Sequence, residues 1–191
     1  MSVVVVVKKA GKCVIAADSL SSFGRTKVSP TYIRCSKIHH VNNSYIGLVG
    51  ATVHDNVFEH IIERESKILN FDDENSIFDT YLKLHIILKE RYFLNPNESD
   101  DDEYESSQMD ALIANSNGIF GMYSLREVYE FQKFWAIGSG TEYALGAMFS
   151  AYKLFDEAEK IAEIGVKAAC EFDDGCGLPI DMYSVELESN E

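Results

Sequence analysis

No stretch of the 191 residues stays apolar for anything near the ~18 positions that a membrane-spanning helix needs, so none is expected. The valine run Val3–Val7 is too short for the core of a secretion signal. No basic flank precedes it and no cleavage signature follows it, so a cytoplasmic protein is expected. Basic residues are scarce: 17 Lys and Arg face 31 Asp and Glu, for a formal net charge of −14. Such an excess of negative charge argues against nucleic-acid binding and against an anionic membrane surface. Cysteine is sparse as well. The four cysteines (Cys13, Cys35, Cys170, Cys176) form no CxxC pair, and Cys13 and Cys170 lie in apolar stretches. They read as small core residues of a reducing compartment. Nor do the histidines suggest a metal site: His39 and His40 are adjacent, so on a strand they point to opposite faces. Neither a metal nor a cofactor is expected.

What is present begins at once. Ser2 to Asp18 reads SVVVVVKKAGKCVIAAD. The valines predict a strand buried on both faces, the segment Lys8–Lys12 a tight turn, and Cys13–Ala17 a return strand ending on Asp18. A buried strand starting this early pins Ser2 in place. Methionine is generally trimmed before a small residue, which would leave a hydroxyl and a free α-amine on Ser2. An α-amine titrates near pH 8, close enough to neutrality to act as a general base. A hydroxyl activated by its own amine is an established nucleophile design. On its own, though, the opening Met-Ser is commonplace.

The rest of the chain alternates in blocks. Residues 19–26 read as a polar loop, 37–41 and 44–50 as strands, and 52–70 and 76–93 as two amphipathic helices. Residues 95–107 form an insertion with six acidic residues, read as a solvated loop. Strands follow at 110–115, 119–123, 128–131 and 134–137, with an Asn117-Gly118 turn in the first hairpin. Helices follow at about 141–153 and from an Asp156 cap to Phe172, and a last strand at 180–187. Hairpin-linked strands with two helical pairs predict an α+β layered architecture, with residues 1–191 as a single domain.

In this order, SVVVVVKKAGKCVIAAD, SKIHHV, SYIGLVGAT, MDALIANSNGIF, AIGSGTEYALGAM and CEFDDGCGLPIDMYSV together resemble the proteasome β subunits and HslV-type peptidases, within the N-terminal nucleophile hydrolases. The resemblance implies a four-layer αββα sandwich of two antiparallel sheets flanked by helices. It implies peptide-bond cleavage inside a homo-oligomeric ring, unfolded protein or peptide as substrate, and an ATP-driven unfoldase as a candidate partner. The family's threonine nucleophile falls on Ser2, its aspartate on Asp18, its lysine on Lys37 and its oxyanion-hole glycine on Gly50. The serine of its GSG falls on Ser139 and its supporting aspartate on Asp173. The substrate-pocket positions fall near Ser22, Ile46 and Thr52, a small and apolar lining that favours apolar side chains. Two positions depart from the family: serine replaces threonine at Ser2, and Cys176 replaces a second serine. A subunit that keeps the fold without turnover is the alternative implied, and a small-amide hydrolase is a third reading.

Overall fold

The computed structural model describes residues 2–28, 30–33, 36–97 and 103–188. Met1, Cys35, the middle of the acidic insertion and the last three residues, expected to fray, lie outside the described residues.

Strands β1 (Val3–Lys9) and β2 (Lys12–Asp18) form the opening hairpin. Its turn is Ala10-Gly11, both at positive φ (50° and 78°), the geometry whose twist matches two paired strands. Residues 21–28 depart from the expected loop. They form a small hairpin of β3 (Ser21–Phe23) and β4 (Thr26–Val28). Next come β5 (Ile38–Val41), β6 (Ser44–Val49), α1 (Thr52–Glu65) and α2 (Glu74–Arg91). The first helix stops earlier than its apolar stripe predicts and passes into a single 3-10 turn over Ser66–Ile68. The second is capped by Asp73, whose carboxylate accepts the Ser76 N–H at 2.8 Å. Beyond the insertion lie β7 (Asp110–Asn115), β8 (Gly118–Met122), β9 (Val128–Phe131) and β10 (Phe134–Gly138). Helices α3 (Thr141–Ala151) and α4 (Ala158–Phe172) and strand β11 (Ile180–Glu186) complete the chain. Asp156 does not cap α4. It is exposed near Lys9, and the helix begins after Glu157, whose side chain makes no capping bond.

Two antiparallel sheets result, ordered β10-β1-β2-β11 and β5-β6-β7-β8-β9. Three apolar seams stack them into four layers. One packs α1 and α2 on the five-stranded sheet through Phe58, Ile61, Tyr81 and Leu84. One packs α3 and α4 on the four-stranded sheet, and the third joins the two sheets. The valine run shows why β1 must be apolar on both sides. Val3, Val5 and Val7 enter the helix seam, Val4 and Val6 enter the seam between sheets, and all five are fully buried. This is the α+β four-layer sandwich that the resemblance implies.

The sheets meet closely at Gly47 on β6, where an added Cβ would stand 2.5 Å from Val4 Cγ1 and 3.2 Å from Ile15 Cδ1. Both neighbours are fully buried and have nowhere to retreat. Gly47→Ala is therefore expected to cost about 1–3 kcal/mol through overpacking, read as a lower urea midpoint at unchanged slope.

No described helix is long and apolar enough to cross a membrane. Among the described residues, no group of three or more His, Cys, Asp or Glu is placed to hold a metal ion. Cys13 is fully buried in the inter-sheet seam, while Cys170 is half-buried.

Candidate active site

The start of β1 is fixed from both sides. On one side, β10 pairs with it as far as Val3 opposite Gly138, and Gly140 N–H donates to the Ser2 carbonyl at 3.3 Å. Gly138 has φ +101°, and a Cβ there would lie 2.2 Å from the Ser2 carbonyl oxygen. Only glycine allows the strand end to approach so closely. On the other side, Val3 N–H donates to Asp18 Oδ1 at 2.9 Å.

Asp18 closes β2 and is fully buried. Its carboxylate accepts four hydrogen bonds. Lys37 Nζ at 2.7 Å and Val3 N–H reach Oδ1, while Leu20 N–H at 3.1 Å and Gly177 N–H at 3.0 Å reach Oδ2. A buried carboxylate needs such a set of donors to offset its lost hydration. The result ties four segments to one side chain: the start of β1, the loop after β2, the residue before β5 and the loop before β11. Lys37 is 8% exposed, so its ammonium is held by Asp18 rather than by water.

Behind Ser2 stands a second group. Ser2 N–H donates to Ser139 Oγ at 3.2 Å, and Ser139 Oγ donates to Asp173 Oδ2 at 2.5 Å. Cys176 Sγ also donates to Asp173 Oδ2, at 3.2 Å, and Gly175 N–H reaches Oδ1 at 3.0 Å. Burial, reinforced by the carboxylates of Asp18 and Asp173, pushes the Cys176 thiol up, so it remains a neutral donor. Burial would raise Asp173, but the bonds from Ser139, Gly175 and Cys176 outweigh it and hold the carboxyl below its ordinary value of 3.8. A depressed pKa stabilises the fold above the unfolded-state value, and that contribution is lost as pH falls through the folded value. Asp173→Asn is expected to flatten this part of the acid limb below about pH 4 in a stability profile measured by urea unfolding.

In front of Ser2 opens a cleft of about 800 Å³. Ser2, Ser22, Lys37, Gly50 and Thr52 all line it. Gly50, at φ +145°, follows β6 and leads into α1. The structure thus brings Ser2, Asp18, Lys37, Ser139 and Asp173 together through hydrogen bonds and sets Gly50 on the same cleft. Ile46 stands apart. It is fully buried in the seam under α1 and α2, because it shares the helix-facing side of β6 with Leu48. Leu48 and Val49, nearer the strand end, line the cleft instead.

Several lining residues carried no signal in the sequence. His39 Nε2 bonds Asp55 Oδ1 at 2.7 Å, bringing β5 against α1, while the His40 ring lies tilted against Tyr45. His54 is 7% exposed, and burial lowers its pKa against the opposing effect of a backbone hydrogen bond with Ala51. The spacing from the SYIGLVG strand to the HDN of α1 could have suggested a polar group over Gly50, but it could not orient the imidazole.

Comparison with solved structures places the whole chain. Thiobacillus denitrificans BPH is 40% identical, with 98% of this chain and 100% of that chain covered, at a TM-score of 0.91. A structure of Thiobacillus denitrificans BPH in complex with epoxomicin matches at 40% identity, covering 97% and 99% of the two chains, with a TM-score of 0.90. Eukaryotic HslV from Trypanosoma brucei is 18% identical over 96% of this chain and 99% of its own, with a TM-score of 0.71, a likeness of fold. No family model and no curated protein matches the chain.

Proposed function

The chain belongs to the family of proteasome-like and HslV-type peptidases, and from that premise we propose that it cleaves peptide bonds with Ser2 as an N-terminal nucleophile, exposed once the preceding residue is removed. The observation that carries the reading is the double anchoring of Ser2 in the cleft. Its nitrogen bonds Ser139, which bonds Asp173, and Lys37 lines the cleft beside it in the grip of Asp18.

Ser2 Oγ attacks the carbonyl carbon of the scissile bond. The Ser2 amine, through a water, takes the hydroxyl proton and later returns it to the leaving amine. Ser139, with Asp173 behind it, orients that amine. The Lys37 ammonium lowers the cost of the developing alkoxide, and Asp18 holds it in place. The Gly50 N–H donates to the oxyanion, a contribution of about 3–4 kcal/mol for one such donor. A second water then hydrolyses the ester on Ser2. Serine lacks the methyl that fixes the rotamer of threonine, so turnover slower than that of a threonine enzyme is expected. Sequestration of the site inside a homo-oligomeric ring, fed by an ATP-driven unfoldase, belongs to the same proposal.

The test is intact mass and N-terminal sequencing before and after incubation with epoxomicin, the compound bound to Thiobacillus denitrificans BPH. A chain beginning at Ser2 that gains one epoxomicin on that residue is the expected result. A chain from its native host that keeps Met1 would have an amide where the base must be. That outcome overturns the nucleophile and leaves a structural ring subunit.

A further inference from the structure

We infer that the His39–Asp55 pair is a positioning device for the reaction: it holds the Gly50 turn at a fixed distance from Lys37, so that the oxyanion donor and the cation act on one substrate carbonyl. This rests on the peptidase reading above and adds two positioning residues to it.

The pair closes a loop through both groups. Lys37 is locked onto β6 by the Leu48 N–H, which donates to its carbonyl at 3.0 Å. Two residues on, His39 lies opposite Ile46 and shares the helix-facing side of the sheet with it. From Leu48 the chain passes through Val49 and Gly50 and turns back as α1. Asp55 completes the return. Its Oδ1 accepts from His39 Nε2 at 2.7 Å, and the His39 ring stands edge-on to Phe58, one turn further along α1, with centroids 5.5 Å apart. His39, Asp55, Lys37 and Gly50 all line the cleft that holds Ser2.

The start of α1 needs such a tie. Its N-cap residue is Ala51, and no side chain caps it. Gly50 brings no side chain to brace the turn. The bond from His54 N–H to the Ala51 carbonyl lies within the first turn and does not reach the sheet. His60 and Glu65 bond Tyr92 and Arg91, which fasten the far end of α1 to α2. Phe58 presses the helix onto the sheet, but apolar packing is not directional, and the hydrogen bond sets where the turn stops. An oxyanion donor must stand about 2.7–3.1 Å from the developing charge, and a misplacement of ~1 Å can cost ~10²-fold in rate. The donor acts most strongly in the transition state, so its displacement lowers kcat more than it raises KM.

Two substitutions separate the link from the ring. His39→Phe removes the donor and keeps a ring against Phe58. His39→Gln removes the ring and keeps an amide N–H for Asp55. Each would be assayed on a fluorogenic peptide and by hydrogen-exchange mass spectrometry over residues 49–53, with urea unfolding as the check on folding. In His39→Phe, kcat is expected to fall about tenfold or more with KM within about twofold, and exchange at Gly50–Thr52 to quicken about tenfold while β1 and β2 stay protected. His39→Gln should keep about a third or more of kcat and exchange as wild type does. Asp55→Ala, a change at a partly exposed side chain, should match His39→Phe and stands in for it should that variant unfold. Unchanged exchange in the link-breaking variants, a rise in KM at constant kcat, or a His39→Gln as impaired as His39→Phe would overturn the inference. Wild-type protein that cleaves no peptide, with Gly50 exchange still quickened in His39→Phe, would instead overturn the peptidase reading and leave the tie itself standing.

Discussion

Ser2→Ala is expected to lower peptide cleavage by about 10⁴-fold or more and to abolish attachment of epoxomicin, while the unfolding free energy from urea titration changes by about 1 kcal/mol or less. The size follows from the absence of a substitute. Of the thiols near the Ser139–Asp173 group, Cys170 is held protonated by burial and Cys176 is 3% exposed. It donates to Asp173, and burial keeps it protonated. A protonated thiol facing away from the cleft cannot take over attack. Lys37 cannot either, because Asp18 holds its ammonium. Ser2→Thr is the matched control: it keeps the hydroxyl and adds the rotamer-fixing methyl, so activity should be retained or rise. Residual cleavage in Ser2→Ala at more than about a hundredth of wild type would mean that another group attacks. Assays on fluorogenic peptides with intact-mass analysis of each variant would settle the point.

The layers were legible because burial writes itself into periodicity. Five consecutive valines, three facing one seam and two the other, have no other home than a central strand. The Asn117-Gly118 turn and the amphipathic stripe of α2 gave their elements in the same way. The β3–β4 hairpin was not legible. Ser21–Val28 packs little apolar surface, most of it is exposed, and its pairing comes from backbone bonds that leave no pattern in side-chain type. The end of α1 was missed for the opposite reason. Ile68 and Leu69 continue the apolar stripe, and they reach the core from a 3-10 turn and the residue after it rather than from the helix itself.

The site divides along the same line. Positions tied to strand ends and tight turns, such as Asp18, Gly50 and Ser139, could be carried over from a resemblance because backbone geometry fixes them. The substrate wall could not. Ile46 and Leu48 lie two residues apart on one face of β6, and only the three-dimensional end of the strand decides which of them meets the cleft.

Asp18→Ala should be the most damaging substitution to stability, and the way its effects divide tests the role of Lys37. Removing the carboxylate strands a buried ammonium and leaves Val3, Leu20 and Gly177 N–H without their acceptor. Breaking a buried pair from one side costs about 3–5 kcal/mol, a large part of the ~5–15 kcal/mol that holds a typical domain folded. The orphaned amides add to the loss, though not additively. Lys37→Met alone should cost less, because the three backbone N–H groups still satisfy Asp18. In the Asp18→Ala/Lys37→Met double variant no charge is stranded, so urea unfolding should recover much of the stability lost in Asp18→Ala. Cleavage should not recover. If the pair only ties β1, β2 and β5 together, the double variant regains activity as it regains stability. If Lys37 instead supplies the cation that makes Ser2 a nucleophile, stability returns while kcat stays about 10²-fold or more below wild type. The second pattern is the expected one, because the ammonium lines the cleft with Ser2, while the three backbone bonds of the carboxylate already tie β1 to the loops after β2 and before β11.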